Sequence, residues 1–428
     1  MRKIIALFTL FAVCMSFTAC FYATSKPTNT VVPQTTGYSS AVDTPVFNPE
    51  TDFNNYFTGL GCLWENDDMY VWIPYDSDQL NYYDKATGDF GVLCPRPECT
   101  HPHDENCAAY VPNSASAISY QNGRLYYVAF HHEINSPYSE RLYSVLPDGS
   151  DKRTVMDIPT VEELGGTPQK YYIHRGVLYI SISAELVKDS VPFMKQGFVA
   201  IDLSDNSMTV IYEQFSEFLL EDSAMQFSGK YVYFCTSEQL QDRNNHNMIL
   251  RWDSEEKSLE TVMEYTSDSF ATIPMNGGFW VDMEQNVYFS IHGNWLSGEG
   301  TKVFRVENGE PVEILDFTEE GVEYSFAFVS DGVAITFTNN NGDFLSKTAW
   351  IKDHNGETVY KGELPTSFVE DLVGNQLLAV VSMRGNKDHI LVEYELTNNS
   401  SNNAEHYLVD YDITENGLEY KLLGMNVK

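Results

Sequence analysis

Three cysteines and two histidines fall within fourteen residues: Cys94-Pro-Arg-Pro-Glu-Cys99-Thr-His101-Pro-His103-Asp104-Glu-Asn-Cys107. Thiolate and imidazole are the ligands Zn²⁺ prefers, and three Cys with one His is a recognised tetrahedral set. The prolines stiffen the segment and lower the entropy cost of presenting ligands. The spacing departs from common zinc patterns, because Cys-x₄-Cys is looser than Cys-x₂-Cys and no second Cys pair follows. Disulfides are the competing chemistry. Residues 1–19 have the order of an export signal, and exported chains commonly oxidise their cysteines. Beyond Cys20 the cysteines are Cys62, Cys94, Cys99, Cys107 and Cys235, an odd set that leaves at least one unpaired. Cys235 ends the run Tyr231-Val-Tyr-Phe-Cys235 and reads as a buried thiol. Connectivity among the rest is not fixed by sequence, and reduced or redox-active thiols are a third reading. Under zinc or disulfide the segment is a staple on a long loop, not a catalytic device.

The elements that must carry this segment show a repeating order. A turn with Gly, Asn or Asp precedes a strand of alternating aromatic and aliphatic residues. The copies start at Asp68, Gly123, Gly176, Gly229, Asn286, Gly332 and Asn375, as in Gly123-Arg-Leu-Tyr-Tyr-Val128. Each is preceded by another short strand and followed by a hairpin such as Leu142-Tyr-Ser-Val-Leu-Pro-Asp-Gly149, whose Asp-Gly supplies positive φ. Four strands per unit of roughly 50 residues make a propeller blade. The fold class is therefore all-β, a β-propeller of seven four-stranded blades. Eight blades follow if the N-terminal segment hides strands, and six if the sixth or seventh unit is misread. Long helical patterns of period 3.6 are missing, which argues against α/β folds.

In such blades the A–B and C–D turns share one face, and the B–C and D–A loops share the other. The B–C connections read as long: 130–140, 184–196, 236–247, 292–300, 339–347 and 383–388. The cysteine segment is a D–A loop. Binding residues concentrate on loops held by a rigid scaffold, so the loop-face candidates are His131, His132, Glu133, Arg243, His246, His292, Trp295 and Arg384. His131-His132-Glu133 contains metal-ligand types, but neighbours on a strand point to opposite faces. Trp295 offers a ring for stacking on a sugar or a side chain. The chain has no Gly-x-Ser-x-Gly elbow, no His-Glu-x-x-His, no phosphate loop and no dinucleotide fingerprint.

Arg2 and Lys3, the apolar run Ile4 to Met15 and Ser16-Phe17-Thr18-Ala19-Cys20 resemble a bacterial lipoprotein signal, with Phe17 where Leu is usual. That resemblance implies diacylglycerol on the Cys20 thiol and cleavage before it. Residues 20–50, rich in Thr, Ser and Pro, read as a flexible tether, and 51–428 as the propeller. The hairpins Leu142–Gly149 and Val303–Gly309 resemble those of the YWTD and TolB-like propellers, although the Tyr-Trp-Thr-Asp tetrad does not occur. Signal, repeats and cysteine segment together resemble uncharacterised surface lipoproteins of Gram-positive anaerobes, a family that implies a fold and a location but no activity. A net charge of −35 makes nucleic acid an unfavourable partner. The sequence thus points to a chain tethered on the outer face of the cell membrane. It reads as a non-enzymatic module for a peptide, protein or glycan. A surface hydrolase or lyase working in the central pocket, and a structural component of an envelope complex, are the alternatives. Structural zinc is the one cofactor the residues suggest, and they set no oligomeric state.

Overall fold

The structure is a computed structural model. It describes residues 53–54, 62–74, 77–111, 118–131, 139–188, 191–216, 220–222, 225–240, 244–267, 278–292, 300–322, 324–325, 327–330, 332–338, 348–369, 376–398 and 404–427. The expectations about Cys20 and the 20–50 tether lie outside these residues. Seven antiparallel sheets follow one another along the chain, each pairing strands A to D in sequence order. They form blade 1 (62–92), blade 2 (119–157), blade 3 (167–216), blade 4 (226–267), blade 5 (279–316), blade 6 (328–363) and blade 7 (376–427).

Strand burial sets the radial order. The A strands Gln226–Ser228 and Phe279–Val281 are buried throughout, whereas the D strands Arg153–Asp157 and Thr358–Glu363 are largely exposed. Strand A is therefore innermost and strand D faces solvent. Seven apolar clusters fill the seams between successive blades and close the ring. Between blades 3 and 4, for example, Tyr179 and Phe198 meet Phe227 and Phe234, with the Phe198 and Phe234 ring centroids 4.2 Å apart. Burying aromatics on both faces of every blade is the main stabilising term.

Blades 1 and 7 each use four consecutive strands, so no strand is exchanged where the ring closes. Side chains close it instead. Tyr70, Trp72 and Tyr83 pack on Leu391, Leu408 and Leu423. A Cβ at Gly424 would run into the Trp72 ring, so the close approach requires glycine there. At the rim, Arg384 Nη2 lies 3.1 Å from Glu65 Oε2, and Tyr70 donates to Asp410 Oδ2 at 3.3 Å. Ahead of blade 1, Phe53–Asn54 pairs antiparallel with Phe227 and Ser228 on the A strand of blade 4.

Two expected loops prove to be paired strands, and a third is the end of a strand and a tight turn. In blade 3, B and C run as Val177–Lys188 and Val191–Asp202, paired to their tips, so 184–196 is a projecting hairpin. In blade 4, Thr236 to Gln239 pairs with Asn245 to Met248. The seventh repeat is out of phase: Gln376–Gly385 is strand A of blade 7, followed by strand B His389–Asn398. Residues 386–388 are thus an A–B turn, not a B–C loop. Asn386 Oδ1 makes that turn by accepting from the N–H groups of Asp388 (2.8 Å) and His389 (3.1 Å), and Gly385 before it leaves room for His389 O, into which a Cβ would run.

Candidate metal centre and adjoining cleft

The cysteine segment leaves strand D of blade 1 (Phe90–Val92) and runs to strand A of blade 2 (Ser119–Gln121). It is not a loose loop. Cys99 N–H donates to Arg96 O at 3.1 Å, and Cys107 N–H to Asp104 O at 3.0 Å. Asp104 Oδ1 also takes Asn106 N–H at 2.8 Å, an Asx turn. The return leg is strapped to blade 1. Leu80 N–H donates to Ala109 O at 2.9 Å, and Val111 N–H to Asp78 O at 2.6 Å. Cys107, Ala109 and Val111 are then buried in the cluster that joins blades 1 and 2.

This path brings four ligand atoms together. Those of Cys94, Cys99, His101 and Cys107 all lie within 4.8 Å of one another, and Cys107 Sγ is 3.8 Å from His101 Nδ1. A tetrahedral zinc with bonds of about 2.3 Å to sulfur separates its ligand atoms by about 3.8 Å, so a small contraction completes the shell. The structure sorts the two candidate histidines. His101 adopts φ 51°, an unusual left-handed backbone for a residue with a Cβ. Its carbonyl is held by Gln79 Nε2 at 2.9 Å. His103 points away, with Nδ1 2.6 Å from Asp78 Oδ1.

The three cysteines form no disulfide here, and Cys235 is buried, as its strand position suggested. Burial works against ionising Cys94. The Arg96 and Ala108 N–H groups, the Cys99 thiol and the Arg96 side chain outweigh it and hold Cys94 below the ordinary thiol range. Burial instead pushes Cys107 up to about 11, against the Ala109 N–H and with the neighbouring Cys94 and Cys99 adding to the rise. N–H groups aimed at sulfur are the usual outer support of a thiolate metal site.

Outside the quartet, the ligand loop forms one wall of a cleft of about 550 Å³, and strands C and D of blade 2 (Ser139–Val145 and Arg153–Asp157) form the other. Cys107 lines this cleft as well as belonging to the quartet. The cleft is on the outer part of the blade, away from the axis expected from the loop pattern.

The other sequence candidates are dispersed. His131 is the last residue of strand B in blade 2, paired with Ser139. His132, Glu133, Arg243 and Trp295 lie outside the described residues. His246 sits within strand C of blade 4, Nε2 3.9 Å from Glu264 Oε2. His292 tethers the end of strand B in blade 5 through Nδ1, 3.0 Å from Thr301 Oγ1. Arg384 is not on the loop face, because its strand runs into an A–B turn and its guanidinium is in the blade 1–7 seam.

No protein-family model and no curated protein matches the chain. Several solved structures share its path at low identity. Porphyromonas gingivalis dipeptidyl peptidase 4 is 10% identical over 87% of this chain and 54% of that one, with a TM-score of 0.42. A prolyl endopeptidase is 12% identical over 87% of this chain and 50% of its own, with a TM-score of 0.47. The chain thus spans about half the length of these two enzymes. The β-propeller domain of the Trilobed protease from Pyrococcus furiosus, described as having an open velcro topology, is 10% identical over 73% of this chain and 98% of that domain, with a TM-score of 0.41.

Proposed function

We propose that the chain is a binding module, held to the outer face of the membrane by a lipid on Cys20, in which zinc fixes the 94–107 loop as part of a recognition surface. One observation carries the reading: Cys94, Cys99, His101 and Cys107 converge within 4.8 Å on a loop that also walls a cleft. A disulfide would use two of the three thiols and leave the third, with the imidazole, unengaged. One metal ion engages all four groups. Zinc with four protein ligands is structural, because it keeps no open position for a substrate, and its contribution would be to hold the loop against the ring. The ring suits such a role, since seven packed seams make a stiff platform and preorganised surfaces bind without an ordering cost. The membrane attachment rests on the order of residues 2–20.

The test presents arrays of peptides and surface glycans to the zinc-loaded mature protein and to a His101→Ala, Cys99→Ser variant. A ligand held by the loaded protein and lost by the variant, with the fold intact by circular dichroism, supports the reading. Equal binding by both would remove the loop from it. Loss of the membrane fraction in Cys20→Ala is expected, and an unchanged fraction would defeat the anchor.

A further inference from the structure

The three sulfurs of the quartet are not equivalent. Cys107 is 1% exposed, whereas Cys94 and Cys99 are half-buried. Cys107 is also fixed on both sides. Its N–H donates to Asp104 O at 3.0 Å, its carbonyl accepts from Tyr110 N–H at 3.2 Å, and its side chain belongs to the core between blades 1 and 2. Cys94 and Cys99 instead share one short turn, in which Cys99 N–H donates to Arg96 O at 3.1 Å and Pro95, Arg96, Pro97 and Glu98 are all exposed. Their Sγ atoms already lie within 4.8 Å of each other. A disulfide needs a separation of about 2 Å, and this pair can close that gap by shifting exposed backbone alone. A solvent-borne oxidant also meets these two sulfurs before the buried third.

We propose that the staple is a redox switch, in which a peroxide joins Cys94 to Cys99, zinc leaves, and the ligand loop comes away from the cleft. The proposal rests on the zinc reading above and adds its regulation. With hydrogen peroxide, one thiolate attacks an oxygen, and an S–O bond forms as the O–O bond breaks and hydroxide departs. The second thiolate attacks the sulfur so formed, and the S–S bond forms as the S–O bond breaks and a second hydroxide departs. The sulfurs give up two electrons, the peroxide takes them, and two protons from solvent turn the hydroxides into water. A disulfide does not replace two thiolates as metal ligands, so zinc keeps only His101 and Cys107 of its four donors and is lost.

The same residues pass the change to the surface. Arg96 Nη2 lies 3.7 Å from Cys99 Sγ, and Arg96, Glu105 and Asn106 line the cleft. The strap beyond Cys107 does not need the metal, because Leu80 N–H holds Ala109 O and Asp78 O holds Val111 N–H. Oxidation should therefore reshape residues 94–107 and leave the ring closed.

The experiment treats the zinc-loaded mature protein, its metal content measured beforehand, with a small excess of hydrogen peroxide. A metallochromic indicator follows zinc release, peptide mapping locates the disulfide, and a glutamyl endopeptidase probes the bond after the exposed Glu105. Release of zinc in step with a Cys94–Cys99 disulfide is expected, with cleavage after Glu105 about fivefold faster or more. A phosphine reductant with added zinc should restore the starting state, and circular dichroism should not change throughout. Zinc retained under peroxide, a disulfide that includes Cys107, cysteines oxidised without any disulfide, or an unchanged cleavage rate overturns the switch. Metal content separates the two claims: zinc bound at the start and kept under peroxide removes the switch and leaves the staple, whereas no zinc at the start removes both.

Discussion

Replacing Arg384 with Met should loosen the ring where its ends meet. Arg384 Nη2 is 3.1 Å from Glu65 Oε2, with the two side chains only 12% and 27% exposed. At that separation and an effective dielectric of about 20, the attraction is about 5 kcal/mol. Desolvating both ions takes back much of it, so the net worth of the pair is modest. Removing one partner is a different perturbation, because it leaves the other ion without compensation in a dry seam, at about 3–5 kcal/mol. Here Lys85 Nζ remains 2.7 Å from Glu65 Oε1 and softens the loss. Arg384→Met should therefore cost about 2–3 kcal/mol. Arg384→Met with Glu65→Gln should recover part of that, since the Glu65 carboxylate is then not stranded, the recovery being limited by the loss of the Lys85 pair. Urea unfolding followed by tryptophan fluorescence reads both, with Trp72 in the same seam reporting locally. Arg153→Met, at a guanidinium 64% exposed, is the control and should fall within about 0.5 kcal/mol of wild type. The reasoning fails if Arg384→Met is no more costly than that control.

The same seam makes a pH prediction. Burial raises the Asp410 carboxyl above the ordinary range, with Asp412 and Glu65 adding to the rise and His389 and Tyr70 opposing it. A raised carboxyl lowers stability as pH climbs through that range, so Asp410→Asn should stabilise at pH 7 and have no effect below about pH 3.9, which thermal melts at the two ends will show. Two turn glycines should separate backbone strain from collision. Gly123 (φ 79°) has nothing within 4 Å of an added Cβ, so Gly123→Ala should cost about 1 kcal/mol. At Gly149 (φ 80°) the Cβ would lie 2.5 Å from Leu93 O, so Gly149→Ala should cost about 2 kcal/mol or more beyond that, as urea midpoints would register. Equal losses at the two positions would contradict the packing of that turn on blade 1.

The blades were legible because Gly, Asn and Asp turns punctuate strands of period two, a local signal that survives in one dimension. The seventh unit slipped by one strand because strand A of blade 7, Gln376–Gly385, is as long and apolar as the B strands of the other blades and follows Gly374-Asn375, so it passes for one of them. The blade 3 arm was read as a loop because strands that project past the ring lose the apolar alternation that marks a half-buried sheet. The cysteine segment announced itself by composition, yet only the backbone of His101 and the Asp78 contact of His103 decide which imidazole turns inward. Arg384 was assigned to the wrong face along with its strand. The cleft was not legible, because Arg141 and Lys152 belong to the C–D hairpin of blade 2 while Arg96 is on the ligand loop, and the two walls meet only when blade 2 packs on that loop.

The central claim is that one metal ion joins Cys94, Cys99, His101 and Cys107. Native mass spectrometry of the purified mature protein, followed by thiol alkylation before and after chelation, tests it directly. The account predicts one zinc per chain, with Cys94, Cys99 and Cys107 protected from alkylation until the chelator removes it. A metal-free mass short by two hydrogens, with two of those cysteines joined to each other, would contradict it.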